Sequence, residues 1–307
     1  MSLNTTSAVL GDSPVAKNKM TISATGGFTS TDGFKPDVVE VDGSDNPRPV
    51  TGYVQLFASD VARVRNAVCS PPVGSNRLFI DEPEAVLGPD DRVRVANTSV
   101  WPFAVQGHLV MKFPNGKAYI GSGTMVSKHH VLTAGHCIFS KADGGWATSV
   151  QFRAAQDDES LPFGSISASR LLSVQEWTEG TNSAFDMGML ILQSDLGEKT
   201  GWFGVITTQT DNDLIKKRVN VTGYPGDKGG QQMWTHADAI KSLTDETAQY
   251  DIDTFGGQSG SGVWSTFAGH TGEKVACIHT TGASTGNGST RISKTKFDRI
   301  VAWMQEF

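Results

Sequence analysis

Short apolar stretches separated by turn residues run through the chain from Ala85 onward. They are rich in Val, Ile, Leu, Thr and Phe, and most are too short to form a stable helix. Glycines and pairs such as Asn115-Gly116 lie between them, as expected for turns that connect strands. The stretches that predict strands in this way are 104–113, 118–126, 130–134, 150–152, 187–192, 218–222 and 275–279. Many short strands joined by turns indicate an all-β barrel or sandwich.

One helix is predicted, at the C-terminus. Phe297, Ile300, Val301 and Met304 are spaced i, i+3, i+4 and i+7, which places them on one face of a helix. The expected fold is therefore all-β with a C-terminal helix.

The first 84 residues have a different composition. They are rich in Gly, Ser, Thr, Asp and Asn, which favours extended or irregular backbone over packed helix. A disordered tail and a pro-segment both fit this composition. We therefore divide the chain into an N-terminal extension, 1–84, and a main domain, 85–307. The extension contains Pro14, Pro36, Pro47, Pro49, Pro71, Pro72 and Pro83.

Composition and charge argue against several functional classes. The formal net charge is −6 and no Lys/Arg cluster stands out, so we expect no nucleic-acid partner. No apolar run approaches the roughly 18 residues of a membrane span. The start of the chain lacks the apolar stretch of a signal peptide, so a secreted protein has lost its signal or leaves by another route. Cys69, Cys137 and Cys277 allow at most one intramolecular disulfide, whose partners the sequence does not determine.

Three segments suggest a nucleophilic hydrolase. His136 follows an apolar strand, Asp186 precedes another, and Ser259 lies in the glycine-rich turn Gly257-Gln258-Ser259-Gly260. A serine hydroxyl needs an adjacent base, and histidine suits that role if a carboxylate fixes its tautomer. The N–H groups of Gly257 and Ser259 are the expected donors to the oxyanion. The order His, Asp, Ser is that of chymotrypsin-like enzymes.

Other readings of these motifs are weaker. The nucleophile elbow of α/β-hydrolases needs G-x-S-x-G, which neither Ser259 nor Ser261 provides. His129 and His130 lie near His136 without Cys, Asp or Glu at metal-binding spacing, so we expect no metal site and no cofactor. Residues 281–288 are glycine-rich but match no phosphate-binding motif, and we expect a mobile loop there.

Four motifs in 85–307 resemble the bacterial glutamyl endopeptidases, a family of chymotrypsin-like serine peptidases. The first two are Thr133-Ala134-Gly135-His136-Cys137 and Val221-Thr222-Gly223-Tyr224-Pro225-Gly226-Asp227-Lys228. The third is Gln249-Tyr250-Asp251-Ile252-Asp253-Thr254 leading into Gly257-Gln258-Ser259-Gly260-Ser261, and the fourth is Ile278-His279-Thr280-Thr281-Gly282. The resemblance implies two antiparallel β-barrels and a secreted endopeptidase that cleaves after Glu and less well after Asp. It places His279 and Thr254 in the pocket for the acidic side chain, although from the residues alone His279 also fits a buried core position.

The resemblance also implies activation by cleavage. Mature enzymes of the family begin near a segment that looks like Ala85-Val86-Leu87-Gly88, and Glu84 precedes it. An enzyme that cuts after glutamate could remove its own first 84 residues, and the new α-amino group of Ala85 would help to recognise the substrate. The nearby Asp81 and Glu82 leave the junction uncertain by a few residues.

The sequence thus predicts a monomeric peptidase with acidic protein or peptide substrates and no membrane partner. Two alternatives stay open. One is a serine peptidase of different specificity, and the other is a non-catalytic homologue that binds peptides. The second normally shows loss of a triad residue or of the glycine turn, and this chain retains both.

Overall fold

The computed structural model describes residues 20–22, 28–31, 33, 78–79, 85–208 and 210–307. Nineteen strands and three short α-helical segments are defined among them. The strands are β1 Met20–Ile22, β2 Phe28–Thr31, β3 Leu78–Phe79, β4 Val93–Arg94, β5 Gln106–Lys112, β6 Ala118–Met125, β7 His130–Thr133, β8 Phe139–Ser140, β9 Gly145–Trp146, β10 Ser149–Ala154, β11 Ile166–Ser173, β12 Gly188–Leu192, β13 Gly204–Thr208, β14 Arg218–Gly223, β15 Trp234–Leu243, β16 Thr247–Tyr250, β17 Gly262–Thr266, β18 Glu273–Ala283 and β19 Gly286–Arg291. The helices are α1 Gln175–Thr178, α2 Gly197–Thr200 and α3 Lys294–Glu306.

The first barrel closes because its two end strands pair with each other. Its strand order is β6-β5-β10-β11-β12-β7, and β7 returns to β6. All neighbours in this ring are antiparallel. The interior is filled by alternating apolar residues of the strands, including the fully buried Leu109, Val131, Phe152 and Leu190.

The second barrel is built in the same way from the C-terminal half. Its order is β18-β17-β14-β15-β16-β19, and β19 pairs again with β18. Its core includes Val221, Tyr250, Ile252 and Val263. The expected fold is confirmed: the protein consists of two closed six-stranded antiparallel β-barrels of the chymotrypsin-like type.

The predicted C-terminal helix is also present, as α3. Phe297 and Ile300 are fully buried, while Val301 and Met304 are partly buried against the same cluster. This cluster contains the core of the first barrel, so the last helix of the chain packs back towards the first half. Within the described residues, no helix has the length and apolar character needed to cross a bilayer.

Parts of the N-terminal extension pair with both barrels. Strands β1 and β2 form a hairpin, and β2 lies antiparallel to β13, the strand that precedes the second barrel and pairs with β18. Strand β3 runs parallel to the start of β6. Most of residues 1–84 lie outside the described residues, so the division of the chain at residue 84 stays a prediction.

All seven stretches predicted as strands contain one, but the glycine-rich segment 281–288 was assigned wrongly. It was expected to be a mobile loop, whereas β18 continues to Ala283 and β19 begins at Gly286. The two strands form a hairpin paired through Thr281↔Gly288. The expectation failed because glycines and small polar residues resemble loop composition, while here their backbones pair as two strands, with only Asn287 and Gly288 buried.

The cysteines that the structure describes are free thiols. Cys137 is buried in the first-barrel cluster and Cys277 in that of the second barrel. Burial raises the pKa of Cys277 to about 11, so this thiol is unreactive at neutral pH. Cys69 lies outside the described residues.

Candidate active site

Strand pairing in the first barrel brings His136 and Asp186 together. Strands β7 and β12 are antiparallel neighbours, with Thr133 opposite Gly188. His136 follows the end of β7 and Asp186 precedes β12, so both lie at the same barrel end. His136 Nδ1 lies 2.6 Å from Asp186 Oδ2, and the His136 backbone N–H donates to Oδ1 over 2.8 Å. The carboxylate therefore fixes both the position and the tautomer of the imidazole.

The surroundings of this pair favour a charged imidazole. Burial alone lowers the pKa of His136, but the Asp186 carboxylate, with a smaller contribution from Cys137, raises it well above the ordinary value. The Trp177 ring packs edge-on at 6.4 Å between centroids. At Gly135 a Cβ would lie 2.7 Å from Trp177 and 2.9 Å from Asp186 Oδ1, so only glycine permits this close packing.

Ser259 reaches the same site from the second half of the chain. It lies just before β17 in a turn where Gly257 has φ 106° and Gly260 has φ 89°, a region that favours glycine. Ser259 and His136 line one cleft of about 430 Å³. The structure therefore brings together the three side chains predicted from sequence, two from the first barrel and one beside the second.

A serine on strand β6 holds the turn that carries the expected oxyanion donors. Ser122 N–H donates to the Ser259 carbonyl over 2.8 Å, and Ser122 Oγ donates to the Gly257 carbonyl over 2.8 Å. The same hydroxyl accepts the Tyr224 N–H at 3.0 Å. These bonds hold the peptide units on either side of Gln258-Ser259 and so restrict the conformation of the turn. The Gly256 carbonyl, which shares a peptide plane with the Gly257 N–H, accepts the Gly226 N–H over 2.8 Å.

The predicted pocket residues lie behind this turn. His279, on β18, is fully buried, and its Nδ1 lies 2.7 Å from the Tyr250 hydroxyl. Its backbone bonds directly to the nucleophile turn: Gly260 N–H donates to the His279 carbonyl, and His279 N–H donates to that of Ser261. Thr254 is also fully buried, and its hydroxyl has no hydrogen-bond partner among the described residues.

Ala85 already lies beside these residues in the intact chain. Its N–H donates to Asn287 Oδ1 over 3.1 Å, and its carbonyl accepts from Asn287 Nδ2 over 2.7 Å and from the Thr254 N–H over 3.3 Å. Further along, the Asp253 carboxylate accepts the N–H groups of Leu87 and Asp91. The start of the main domain is thus bound to the pocket wall by five hydrogen bonds.

Sequence reasoning missed the residues that support the site. Ser122, Tyr250 and Asn287 contact predicted site residues but are distant from them in sequence. Tyr250 and Ser122 lie within ordinary strand patterns, which give no signal of a polar role. Asn287 lies in the glycine-rich segment that was expected to be a loop.

Comparison with known proteins establishes the family. A glutamyl endopeptidase of Bacillus licheniformis is 34% identical over 228 residues, which cover 72% of this chain and 69% of that protein. The chain belongs to the glutamyl endopeptidase family. A family model for the trypsin-like peptidase domain matches residues 121–270. The protein is accordingly a chymotrypsin-like serine endopeptidase, and the interpretation as a non-catalytic homologue is not supported.

A solved structure and a second relative extend the comparison. A Glu endopeptidase in complex with MPD superposes with a TM-score of 0.61 at 23% identity, covering 71% of this chain and 98% of that one. A Bacillus subtilis protein called extracellular metalloprotease is 33% identical over 226 residues, covering 73% of this chain and 71% of the relative. That name raises the question of whether this family member has a metal site.

The side chains do not fit a catalytic metal. Among the described residues, one group of potential ligands has its atoms within 4.8 Å of one another: Asp91, His236 and Asp253. Both Asp253 oxygens accept backbone N–H groups, and His236 Nδ1 accepts the Asp253 N–H over 2.8 Å. None of the three lines the cleft that contains Ser259. These contacts explain the group as an anchor for the start of the main domain.

Replacing Asp186 by Asn tests the imidazole–carboxylate pair. His136 can accept a proton only when neutral, so its raised pKa places the acid limb of kcat/KM at higher pH than an ordinary histidine would. Because D186N removes the negative charge that raises the pKa of His136, that pKa should fall and the acid limb should move to lower pH. In triads of this kind kcat also falls by about 10⁴, because the imidazole adopts the wrong tautomer. A pH profile of kcat/KM checks this, and an unmoved acid limb would contradict the pairing.

Replacing Ser122 by Ala tests the support of the oxyanion turn. Loss of one oxyanion donor typically lowers kcat by about 10²–10³. S122A keeps both expected donors and removes only the hydroxyl that bonds to the Gly257 carbonyl, so kcat should fall by less than that, with little change in KM. S122A should also weaken the binding of a peptidyl boronic acid, which mimics the tetrahedral intermediate, more than it weakens the binding of a product peptide. T98V is the matched control, because the buried Thr98 hydroxyl also donates to a backbone carbonyl, that of Ala155, over 2.7 Å and does not bond to the turn. Equal losses for both variants would indicate general destabilisation instead.

Proposed function

We propose that this peptidase hydrolyses peptide bonds after Glu, and less efficiently after Asp, through His136, Asp186 and Ser259. Ser259 attacks the scissile carbonyl while His136 takes its proton and later gives it to the leaving amine. Asp186 orients His136 and stabilises the imidazolium, and the N–H groups of Gly257 and Ser259 receive the oxyanion. The observation that carries the proposal is the 2.6 Å contact between His136 and Asp186 beside a cleft shared with Ser259.

The pocket supports an acidic preference. A substrate carboxylate is expensive to bury unless it receives hydrogen bonds or a positive charge. The buried Thr254 hydroxyl is available as a donor. The Tyr250 hydroxyl, 2.7 Å from His279 Nδ1, fixes the orientation of the imidazole and hence the direction of its second nitrogen.

Cleavage after Glu84 would add a positive charge at this place. In the intact chain the Ala85 nitrogen is an amide, held 3.1 Å from Asn287 Oδ1. After the cut it becomes an ammonium group that can keep the same acceptor, next to Thr254. An α-amino group ordinarily has a pKa of about 8, so it is mostly charged at neutral pH. This supports a zymogen that gains its full preference for Glu when the new N-terminus forms.

The relatives and the pocket chemistry support a location and a substrate class for this protein. The Bacillus subtilis relative is named as extracellular, and we infer secretion for this protein as well. Its expected partners are protein or peptide substrates with acidic residues, and we expect it to act as a monomer.

A peptide panel tests the specificity. Peptides with Glu, Gln, Asp, Arg or Phe before the scissile bond should be cut best at Glu. H279A should lower the ratio of kcat/KM for Glu over Gln by about 10- to 100-fold, since a hydrogen bond to a buried charge contributes about 1.5–3 kcal/mol. Y250F is the graded control, because it keeps the imidazole and removes only its support. Preferential cutting after Phe or Arg by the wild type would overturn the acidic pocket.

Intact mass measurement tests the processing. The active wild type should begin at Ala85, whereas S259A should remain full length until a trace of active enzyme is added. E84Q combined with S259A should resist that cut, and E82Q combined with S259A should be cut normally. An active wild type that still begins near residue 1, or normal maturation of E84Q, would reject the junction.

A further inference from the structure

One segment of the N-terminal extension binds to β13, the strand that precedes the second barrel. Strand β2 pairs with β13 through Ser30↔Ile206, Thr29↔Thr207 and Phe28↔Thr208. Without this partner, residues 206–208 would present an open strand edge on that side. The pairing resembles the way in which chains bind peptides by adding a strand to a sheet.

Side-chain contacts at the end of β2 are specific. Thr31 is buried, and its Oγ1 accepts the Val205 N–H over 2.7 Å. Its carbonyl accepts a hydrogen bond from Lys274 Nζ over 2.8 Å. Lys274 is itself only 1% exposed, although lysine is rarely buried completely. The extension therefore provides an acceptor for a buried ammonium group of the barrel.

Two glycines allow the extension and β13 to approach each other this closely. A Cβ at Gly204 would lie 2.1 Å from the Thr31 carbonyl oxygen and 2.6 Å from Lys274 Nζ. At Gly33 a Cβ would lie 3.0 Å from both the Gly204 nitrogen and the Trp202 carbonyl oxygen. Gly204 is not among the glycines with a positive φ, so its backbone conformation does not require glycine. It is the close approach of Thr31 and Lys274 that leaves no room for a side chain.

We propose that this hairpin, β1 and β2, stays bound to β13 after the chain is cut after Glu84, so that the processed enzyme consists of two chains. The proposal rests on the cut proposed above. Release would expose the strand edge and remove an acceptor from Lys274, and both changes oppose dissociation. Gly204, Val205 and Lys274 do not line the cleft that contains Ser259, so a retained hairpin leaves that cleft open.

An engineered cut tests retention independently of the enzyme's own activity. In a full-length S259A chain, residues 81–84 are replaced by the recognition sequence of an unrelated protease, and the chain is cut by that protease. Gel filtration and native mass spectrometry at about 1 μM should find the N-terminal fragment with the main domain, as expected for a Kd below that concentration. Complete separation of the two pieces would overturn the proposal, whatever the specificity of the wild type.

Variants locate the contact. G204A should release the fragment, because its methyl group takes the place of the Thr31 carbonyl. T31V should weaken retention at least tenfold in Kd while leaving the sequence of the main domain unchanged, so misfolding of the barrel does not explain its effect. T207V is the matched control: Thr207 lies on β13, and its buried hydroxyl has no partner among the described residues. Retention that survives G204A and T31V would show that other parts of the extension hold the fragment.

Discussion

The site depends on the hydrogen bonds between strand β6 of the first barrel and the turn that carries Ser259. Ser122 bonds to the carbonyl groups of Gly257 and Ser259, and Thr124 accepts the N–H of Gly262. His136 and Asp186, the proposed base and its carboxylate, belong to the first barrel, whereas Ser259 and the proposed oxyanion donors precede a strand of the second. Misplacement by about 1 Å can reduce catalysis by about 10², so the two barrels must be held in one relative position. Buried hydrogen bonds provide that constraint because breaking one leaves an unsatisfied group at a cost of about 1–3 kcal/mol.

The same turn connects the chemistry to the pocket. Gly260 and Ser261 bond to the backbone of His279, so the strand that carries the proposed pocket histidine is attached to the turn that carries Ser259. In the proposed mechanism, a substrate carboxylate bound near His279 would therefore contact a strand that is hydrogen-bonded to the turn with the oxyanion donors. The start of the main domain is already attached to this wall through Asn287 and Asp253. Cutting the chain would thus add a charge to a formed pocket, with little rearrangement of residues 85–91.

Much of this arrangement could be predicted from the sequence, because its strongest signals are local. Apolar stretches predicted seven strands, and the spacing of Phe297 and Ile300 predicted the last helix. The three reactive side chains were identifiable because each follows or precedes a recognisable element. Their convergence is observed as a direct contact between His136 and Asp186, and Ser259 lines the same cleft as His136.

The supporting contacts could not be predicted, for physical reasons. No residue of strand β11 is fully buried, and β19 consists of glycines and polar residues, so neither shows an apolar pattern. The roles of Ser122 and Asn287 arise only when residues separated by more than 100 positions meet. A serine in a strand has the same local signal whether its hydroxyl faces solvent or holds an oxyanion turn.

Residues 203–205, in the segment between the two barrels, contact both the first barrel and the N-terminal extension. Phe203 N–H donates to the Met125 carbonyl at the end of β6, while Gly204 and Val205 contact Thr31 from the other side. This connector is therefore fixed to the first barrel through the same strand that carries Ser122. β13 continues from it and pairs with β18, the strand of His279. The hairpin that we propose to be retained on β13 would therefore support the connection between the barrels at a distance from the cleft. An added strand in this place can strengthen the scaffold without competing with substrate, which is the arrangement expected of a partner that remains after activation.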